Sequence, residues 1–72
     1  MIIFGTWLVQ QAGRNDPIGD LSKDFVEDCR LNKLSTAMSR RRVEARIAYS
    51  NAHMNANDTL SEAYREFINL PK

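Results

Sequence analysis

Apolar residues recur at intervals of three and four along most of the chain, which is the spacing of amphipathic helices. The first such stretch consists of Ile3, Phe4, Trp7, Leu8 and Gln11. We expect Gly13 to end this helix as a left-handed cap, because glycine adopts positive φ without a steric penalty. Four such patterns occur along the chain and no strand pattern accompanies them, so the sequence predicts an all-helical protein.

The second helix is predicted to begin at Asp16 and Pro17. The Asp16 carboxylate is a strong N-cap, and Pro17 suits the first helical position. Asp20 adds negative charge near the positive end of the helix dipole. We expect Gly19 to allow a close approach by another helix, such as the one that carries Trp7. The predicted apolar stripe is Ile18, Leu21, Phe25 and Cys29 with Val26 at its edge, and the predicted polar face is Asp20, Lys23, Asp24, Glu27 and Asp28.

The third segment contains two pairs of apolar residues at helical spacing but on different azimuths, Leu34 with Met38 and Val43 with Ile47. We therefore expect Ser39 to cap a helix from residue 40 to about residue 51, with residues 35–38 as a turn or a short helix. Thr59 and Glu62 form a capping box that predicts the start of a fourth helix, and Pro71 ends it. The apolar face of this last helix is Leu60, Ala63, Tyr64, Phe67 and Ile68. The asparagine-rich residues 51–58 are predicted to form the main loop.

Four or five short helices with short connections predict an all-α fold, a compact orthogonal bundle, because a long up-and-down bundle would need longer helices. A chain of 72 residues permits one domain, residues 1–72. We expect the centre of the core to contain Trp7, Phe25, Ile47, Tyr64 and Phe67.

Residues that carry chemistry are few. Cys29 and His53 are the only cysteine and histidine, whereas a zinc site normally needs three or four ligands, mostly of those types. One cysteine excludes an internal disulfide, and its place on an apolar stripe indicates a buried thiol. We therefore predict no catalysis, no metal and no cofactor. The first residues lack the basic start and long apolar run of a signal peptide or membrane span, so we expect a cytoplasmic protein.

Charge is unevenly distributed along the chain. The net charge is +1, but residues 30–46 hold six bases and one acid, whereas residues 16–28 hold five acids and one base. The run Arg40, Arg41 and Arg42 falls at the predicted start of the third helix, where positive charge opposes the helix dipole. Such a run calls for a compensating interaction, either internal, with the acidic second helix, or external, with an acidic protein or a phosphate backbone; the further alternative is that the arginines are simply solvated.

Tyr49 lies one helical turn from Arg46 and two turns from Arg42, with His53 beyond it. We predict a non-catalytic binding module that contacts an acidic protein partner. The predicted contact residues are Arg40, Arg41, Arg42, Arg46 and Tyr49. The alternative is a nucleic-acid-binding protein that places these arginines on phosphates, although the pI of about 7.9 is well below the value above about 9 that is typical of such domains.

Three segments also carry a family resemblance: Trp7-Leu8 with Gln11, Asp16-Pro17-Ile18-Gly19-Asp20-Leu21 with Asp24, and Leu60-Ser61-Glu62-Ala63-Tyr64-Arg65-Glu66-Phe67. On these segments the chain resembles the YozE SAM-like family of small bacterial and phage proteins. The resemblance implies a fold similar to sterile-alpha-motif domains and a small regulatory protein, of bacterial, phage or prophage origin, without implying any activity. Because SAM-like folds often associate through oppositely charged surfaces, it also implies head-to-tail pairing of the acidic second helix with the basic third segment. The chain departs most from the family between residues 30 and 57, where the arginine run lies.

Overall fold

Four helices and no strand are present in residues 2–50 and 56–71, which are the residues that the computed structural model describes. They are α1 (Phe4–Gln10), α2 (Pro17–Asn32), α3 (Arg40–Ser50) and α4 (Ala56–Ile68). Every pair of helices is in contact. The prediction of a small all-α bundle is confirmed. Side chains are described for residues 2–48 and 58–71.

The start of α2 is built as the sequence predicts. Asp16 is the N-cap, and its Oδ1 accepts a hydrogen bond of 2.8 Å from the Gly19 N–H. Pro17 occupies the first helical turn, where it has no hydrogen bond to lose. The helix ends at Lys33, which has a left-handed backbone (φ 54°, ψ 44°). The Leu34 N–H then returns to the Cys29 carbonyl at 2.9 Å, which satisfies a carbonyl of the last turn.

The predicted left-handed cap at Gly13 is wrong, because no glycine of the described residues has positive φ. Helix α1 instead ends in a tightened turn. The Gln11 N–H donates to the Leu8 carbonyl at 2.9 Å, and the Ala12 N–H donates to the Val9 carbonyl at 3.2 Å. These bonds span three residues and use carbonyls of the last turn, so the helix end requires no left-handed residue.

Helix α3 begins at Arg40, as predicted from Ser39, whose carbonyl accepts from the Val43 N–H at 3.0 Å. The predicted capping box of α4 is wrong, since this helix begins at Ala56 and therefore contains Thr59 in its interior. Asp58 lies in the first turn, where a carboxylate favours the helix dipole. The last three residues of the predicted loop at 51–58 therefore belong to α4. The other five, residues 51–55, lie outside the described residues.

All four helices contribute to one hydrophobic cluster. Its buried members are Phe4, Trp7, Leu8, Ile18, Leu21, Phe25, Cys29, Met38, Val43, Ile47, Leu60 and Ala63. Three of the predicted central residues, Trp7, Phe25 and Ile47, are at most 5% exposed, whereas Tyr64 and Phe67 are partly buried and pack against the cluster. Ile68, which was expected on the apolar face of α4, is 57% exposed. The helix therefore turns its final residue out of the core.

Two glycines permit close backbone contacts. The Gly5 N–H donates to the Met38 carbonyl at 2.8 Å, and a Cβ at Gly5 would collide with the Thr36 carbonyl oxygen. This contact fastens the segment between α2 and α3 against α1 and seats Met38 in the core. A Cβ at Gly19 would collide with the Arg14 carbonyl group. The expected close approach at Gly19 is therefore present, but the approaching group is the α1–α2 connection and not another helix.

Candidate partner-binding surface

Three consecutive arginines form the first turn of α3, and this turn contains no acidic residue. The side chains of Arg40, Arg41 and Arg42 are exposed, while the next residue, Val43, is fully buried. Burial of Val43 and Ile47 fixes the rotation of the helix and leaves Arg41 and Arg42 facing solvent. We refer to Arg40, Arg41 and Arg42 as the α3 basic surface.

Arg40 is partly held by its own chain. Its guanidinium carbon lies 4.7 Å from the centre of the Tyr64 ring, and its Nε lies 3.8 Å from Glu44 Oε2. The Arg40 and Glu44 side chains are 43% and 52% exposed, so their attraction is screened by water and is worth about 0.5 kcal/mol at most. The ring contact adds about 0.5–1 kcal/mol. These contacts orient the guanidinium without neutralising it.

Arg41 and Arg42 have no hydrogen bond or ion pair with any residue whose side chain the structure describes. Both also lie at the positive end of the α3 dipole, an arrangement that costs a few tenths of a kcal/mol for each charge. The internal pairing that the sequence left open is therefore not made by these two arginines within the described residues. They present two positive charges to solvent.

Arg46 was predicted to belong to the contact surface, and the structure places it in a partly buried ion pair with Asp28 of α2. Its Nε donates to Asp28 Oδ2 at 2.9 Å and its Nη2 donates to Asp28 Oδ1 at 2.7 Å, and the Asn32 side chain also donates to Oδ1 at 2.9 Å. The side chains of Arg46 and Asp28 are 25% and 8% exposed. The expectation that Asp28 faces solvent is therefore wrong as well. Arg46 follows the buried Val43 by three residues, which places it on the α3 face that meets α2.

The remaining member of the predicted surface, Tyr49, lies in α3, but its side chain is outside the described residues, as is His53. The predicted edge of Arg42, Arg46 and Tyr49 is thus divided, because Arg46 turns toward α2 while Arg42 is exposed. On α2, the side chains of Asp20, Asp24 and Glu27 are exposed. Carboxylates of α2 and guanidinium groups of α3 are thus both exposed, and Glu27 pairs with Arg30 of its own helix at 2.6 Å.

Arg14 organises a network that the sequence analysis missed. Its guanidinium donates to Asp16 Oδ2 at 2.7 Å, to Glu66 Oε1 at 2.8 Å and to Gln11 Oε1 at 3.4 Å. The Gly19 N–H and the Arg14 guanidinium together hold the pKa of Asp16 below its usual value, and the carboxylates of Glu66 and Asp16 raise the pKa of Arg14. The spacing of Arg14 and Asp16 is a local signal, but Glu66 is 52 positions away and only the fold brings it near.

An apolar groove adjoins the α3 basic surface. It has a volume of about 290 Å³ and is lined by Ile2, Ile3, Phe4, Ser39, Arg40, Tyr64 and Phe67. The Phe4 ring lies 5.2 Å from the Tyr64 ring and 5.4 Å from the Phe67 ring, each in an edge-to-face arrangement, which gives the groove an aromatic wall. A second depression, of about 400 Å³, lies on α4 between Glu62, Arg65, Glu66 and Asn69.

Cys29 is 2% exposed, and burial raises the pKa of its thiol. A raised pKa reduces the thiolate fraction at neutral pH and hence the reactivity of the sulfur. Among the side chains that the structure describes, no group of three His, Cys, Asp or Glu residues is placed to hold a metal ion. No helix within the described ranges has both the length and the apolar character needed to cross a bilayer.

Comparison of the chain with protein-family models, with curated proteins and with solved structures returns no match.

Proposed function

We propose that this protein is a small non-catalytic helical binding module, acting in the cytoplasm, that contacts an acidic surface of a protein partner through the α3 basic surface. One observation carries the proposal: Arg41 and Arg42 are exposed, lack partners among the described side chains, and lie where the helix dipole disfavours them. An interaction with another molecule would account for two positive charges that lower the stability of α3 slightly and gain no partner within the described side chains. The fixed position of Arg40 over Tyr64 adds a third, preoriented cation.

The test is capture of partners from the native host's lysate by immobilised protein. We expect the variant Arg41→Glu/Arg42→Glu to lose the captured protein. The matched control is Lys23→Glu/Arg65→Glu, which makes the same change in net charge at two exposed positions outside α3. Equal recovery by wild type and by the α3 variant would refute the proposal, and equal loss in both variants would show that only net charge matters.

A nucleic-acid-binding function is the second candidate, and the exposure of three consecutive arginines supports it. Phosphate contacts release counterions, so binding of this kind weakens steeply as salt rises. The described residues offer little exposed aromatic surface for base stacking, because Trp7 is buried and the Tyr64 ring is covered by Arg40. Fluorescence anisotropy with a labelled duplex and a labelled single strand, each at two salt concentrations, separates the candidates. Absence of binding to both at low salt rejects nucleic acid.

We also propose that the chain is a divergent relative of the YozE SAM-like family. The Asp16 and Pro17 helix start and the burial of Leu60 and Ala63 on α4 agree with two of the segments on which the resemblance depends. Head-to-tail association follows from the same resemblance, with the acidic face of α2 as one side and the α3 basic surface as the other. Sedimentation velocity at high protein concentration and low salt tests this association, and a monomer under those conditions would reject it.

A further inference from the structure

The groove beside the α3 basic surface has the composition of a docking site for a single apolar side chain. Its volume of about 290 Å³ is at the lower limit of the roughly 300–1,000 Å³ typical of small-molecule pockets, and it is an open groove on the surface. Ile3, which forms part of its wall, is 47% exposed. The half-buried Tyr64 and Phe67 supply aromatic surface, and the buried Phe4 ring packs behind them; exposed aromatic surface is the kind of lining that accepts the anchor residue of a partner.

The charge of the groove restricts what it can bind. Arg40 is the one charged residue among the seven that line the groove. The other polar groups of the lining side chains are the hydroxyls of Ser39 and Tyr64. Arg40 also belongs to the α3 basic surface, so the apolar groove borders that surface at Arg40, and the exposed Arg41 and Arg42 follow it within the same helical turn. An occupant that fits both features carries a large apolar side chain with carboxylates close to it in sequence.

We propose that this groove binds a short segment of a partner protein in which one aromatic or aliphatic anchor is flanked by Asp or Glu residues. The anchor fills the groove between Ile3 and Phe67, and the flanking carboxylates pair with Arg40 and with Arg41. This inference rests on the proposed function and narrows it, since it names the chemical pattern of the acidic partner. It distinguishes such a segment from a nucleic acid, which brings phosphates but no apolar anchor, and from a second copy of this chain.

The test begins with unbiased selection of random 12-residue displayed peptides on the immobilised wild-type protein. We expect the enriched peptides to share an apolar anchor flanked by acidic residues. The tightest peptide is then synthesised with a fluorescent label and titrated against variants. Enrichment of peptides without this pattern, or failure to enrich any peptide, would overturn the inference.

Two exposed aliphatic residues provide a matched pair of variants. Ile3→Ser removes part of the groove wall, and it keeps the fold because Ile3 is the N-cap of α1, makes no side-chain cap bond and is replaced by a preferred N-cap residue. Leu31→Ser makes a comparable aliphatic-to-serine change at a residue of α2 that is 65% exposed and outside the groove. We expect Ile3→Ser to weaken peptide binding about tenfold or more and Leu31→Ser to change it less than about twofold. Equal effects of the two variants would overturn the inference.

The same variants separate this inference from the function on which it rests. If Arg41→Glu/Arg42→Glu abolishes capture of the native partner while Ile3→Ser retains it fully, the basic surface is a contact and the groove is not. If both variants retain the partner, both proposals fail. Sedimentation velocity of the free protein tests whether a second copy of this chain occupies the groove. A dimer that Ile3→Ser dissociates would assign the groove to a second copy and overturn the inference.

Discussion

The buried ion pair between Asp28 on α2 and Arg46 on α3 is the feature whose removal should disturb this protein most clearly. The pair is bidentate, with bonds of 2.9 and 2.7 Å, and the Asp28 side chain is 8% exposed. Replacing Arg46 by methionine keeps much of the aliphatic stem and removes the charge. The Asp28 carboxylate then stays buried with the Asn32 amide as its described hydrogen-bond donor.

The expected loss can be estimated from the burial of the two groups. Breaking a fully buried pair by removing one partner costs about 3–5 kcal/mol. Arg46→Met should lower the free energy of unfolding by about 3 kcal/mol, at the lower end of this range, because Arg46 is 25% exposed and water reaches part of the site. Asp28→Asn should cost less, about 1–2 kcal/mol, because the amide retains hydrogen-bonding atoms and the guanidinium can turn to water. A core of this size rarely supplies more than about 3–5 kcal/mol, so Arg46→Met should be close to unfolding.

Urea denaturation followed by far-ultraviolet circular dichroism and by fluorescence of the single, buried Trp7 measures these losses. The double variant completes a cycle, for which we expect a coupling energy of about 1–2 kcal/mol. Arg42→Met is the control, because it makes the same chemical change at an exposed arginine and should alter stability by less than about 0.5 kcal/mol. If Arg46→Met proves as mild as Arg42→Met, Arg46 is not held in the pair, and the α3 basic surface extends to it as the sequence first indicated.

Three further predictions concern stability. Gly5→Ala should lower it by about 1–3 kcal/mol, since the added Cβ meets main-chain atoms of the α2–α3 segment, whereas Gly13→Ala, with nothing within 4 Å of its Cβ, should leave the urea midpoint unchanged or raise it. Arg41→Glu/Arg42→Glu should raise the thermal midpoint by a few degrees, because acidic residues favour the first turn of α3, even as partner binding is lost. Because the pKa of Asp16 is lowered in the folded protein, the stabilisation by its carboxylate is complete above the ordinary aspartate pKa of about 3.9. This stabilisation is lost as the pH falls through the lower pKa of the folded state. Asp16→Asn, which keeps a capping oxygen, should therefore destabilise the protein at pH 7, and this destabilisation should shrink as the pH is lowered below the ordinary aspartate value; a loss that does not change with pH would contradict the assignment.

Local features were predictable because each is encoded in a few consecutive residues. The Asp16 cap and Pro17 lie within one turn of the helix they start, and the buried stripe from Ile18 to Cys29 follows from helical periodicity alone. The same reasoning failed at two helix ends. The capping box at Thr59 was overridden by an earlier helix start at Ala56, and the expected role of Gly13 was taken over by hydrogen bonds of the tightened turn at Gln11 and Ala12.

The candidate site was only partly predictable for a related reason. The sequence identified the arginine cluster and its opposition to the helix dipole, and it left open whether the acidic helix neutralises it. The fold divides the cluster: Arg46 pairs with Asp28, Arg40 packs on Tyr64, and Arg41 and Arg42 face solvent. This division depends on how α3 is rotated against α2. No short stretch of sequence determines that rotation.

Composition and periodicity by themselves determined an all-helical bundle, its principal core residues and the segregation of charge along the chain. Tertiary structure alone decided the ion pair across 18 positions, the Arg14 to Glu66 link across 52, and the apolar groove that joins α1 to α4 beside the arginines. The physical reason is the range of the forces involved. Capping and helical spacing act within one or two turns, whereas a groove or a buried charge pair exists only after separate helices have packed and excluded water between them.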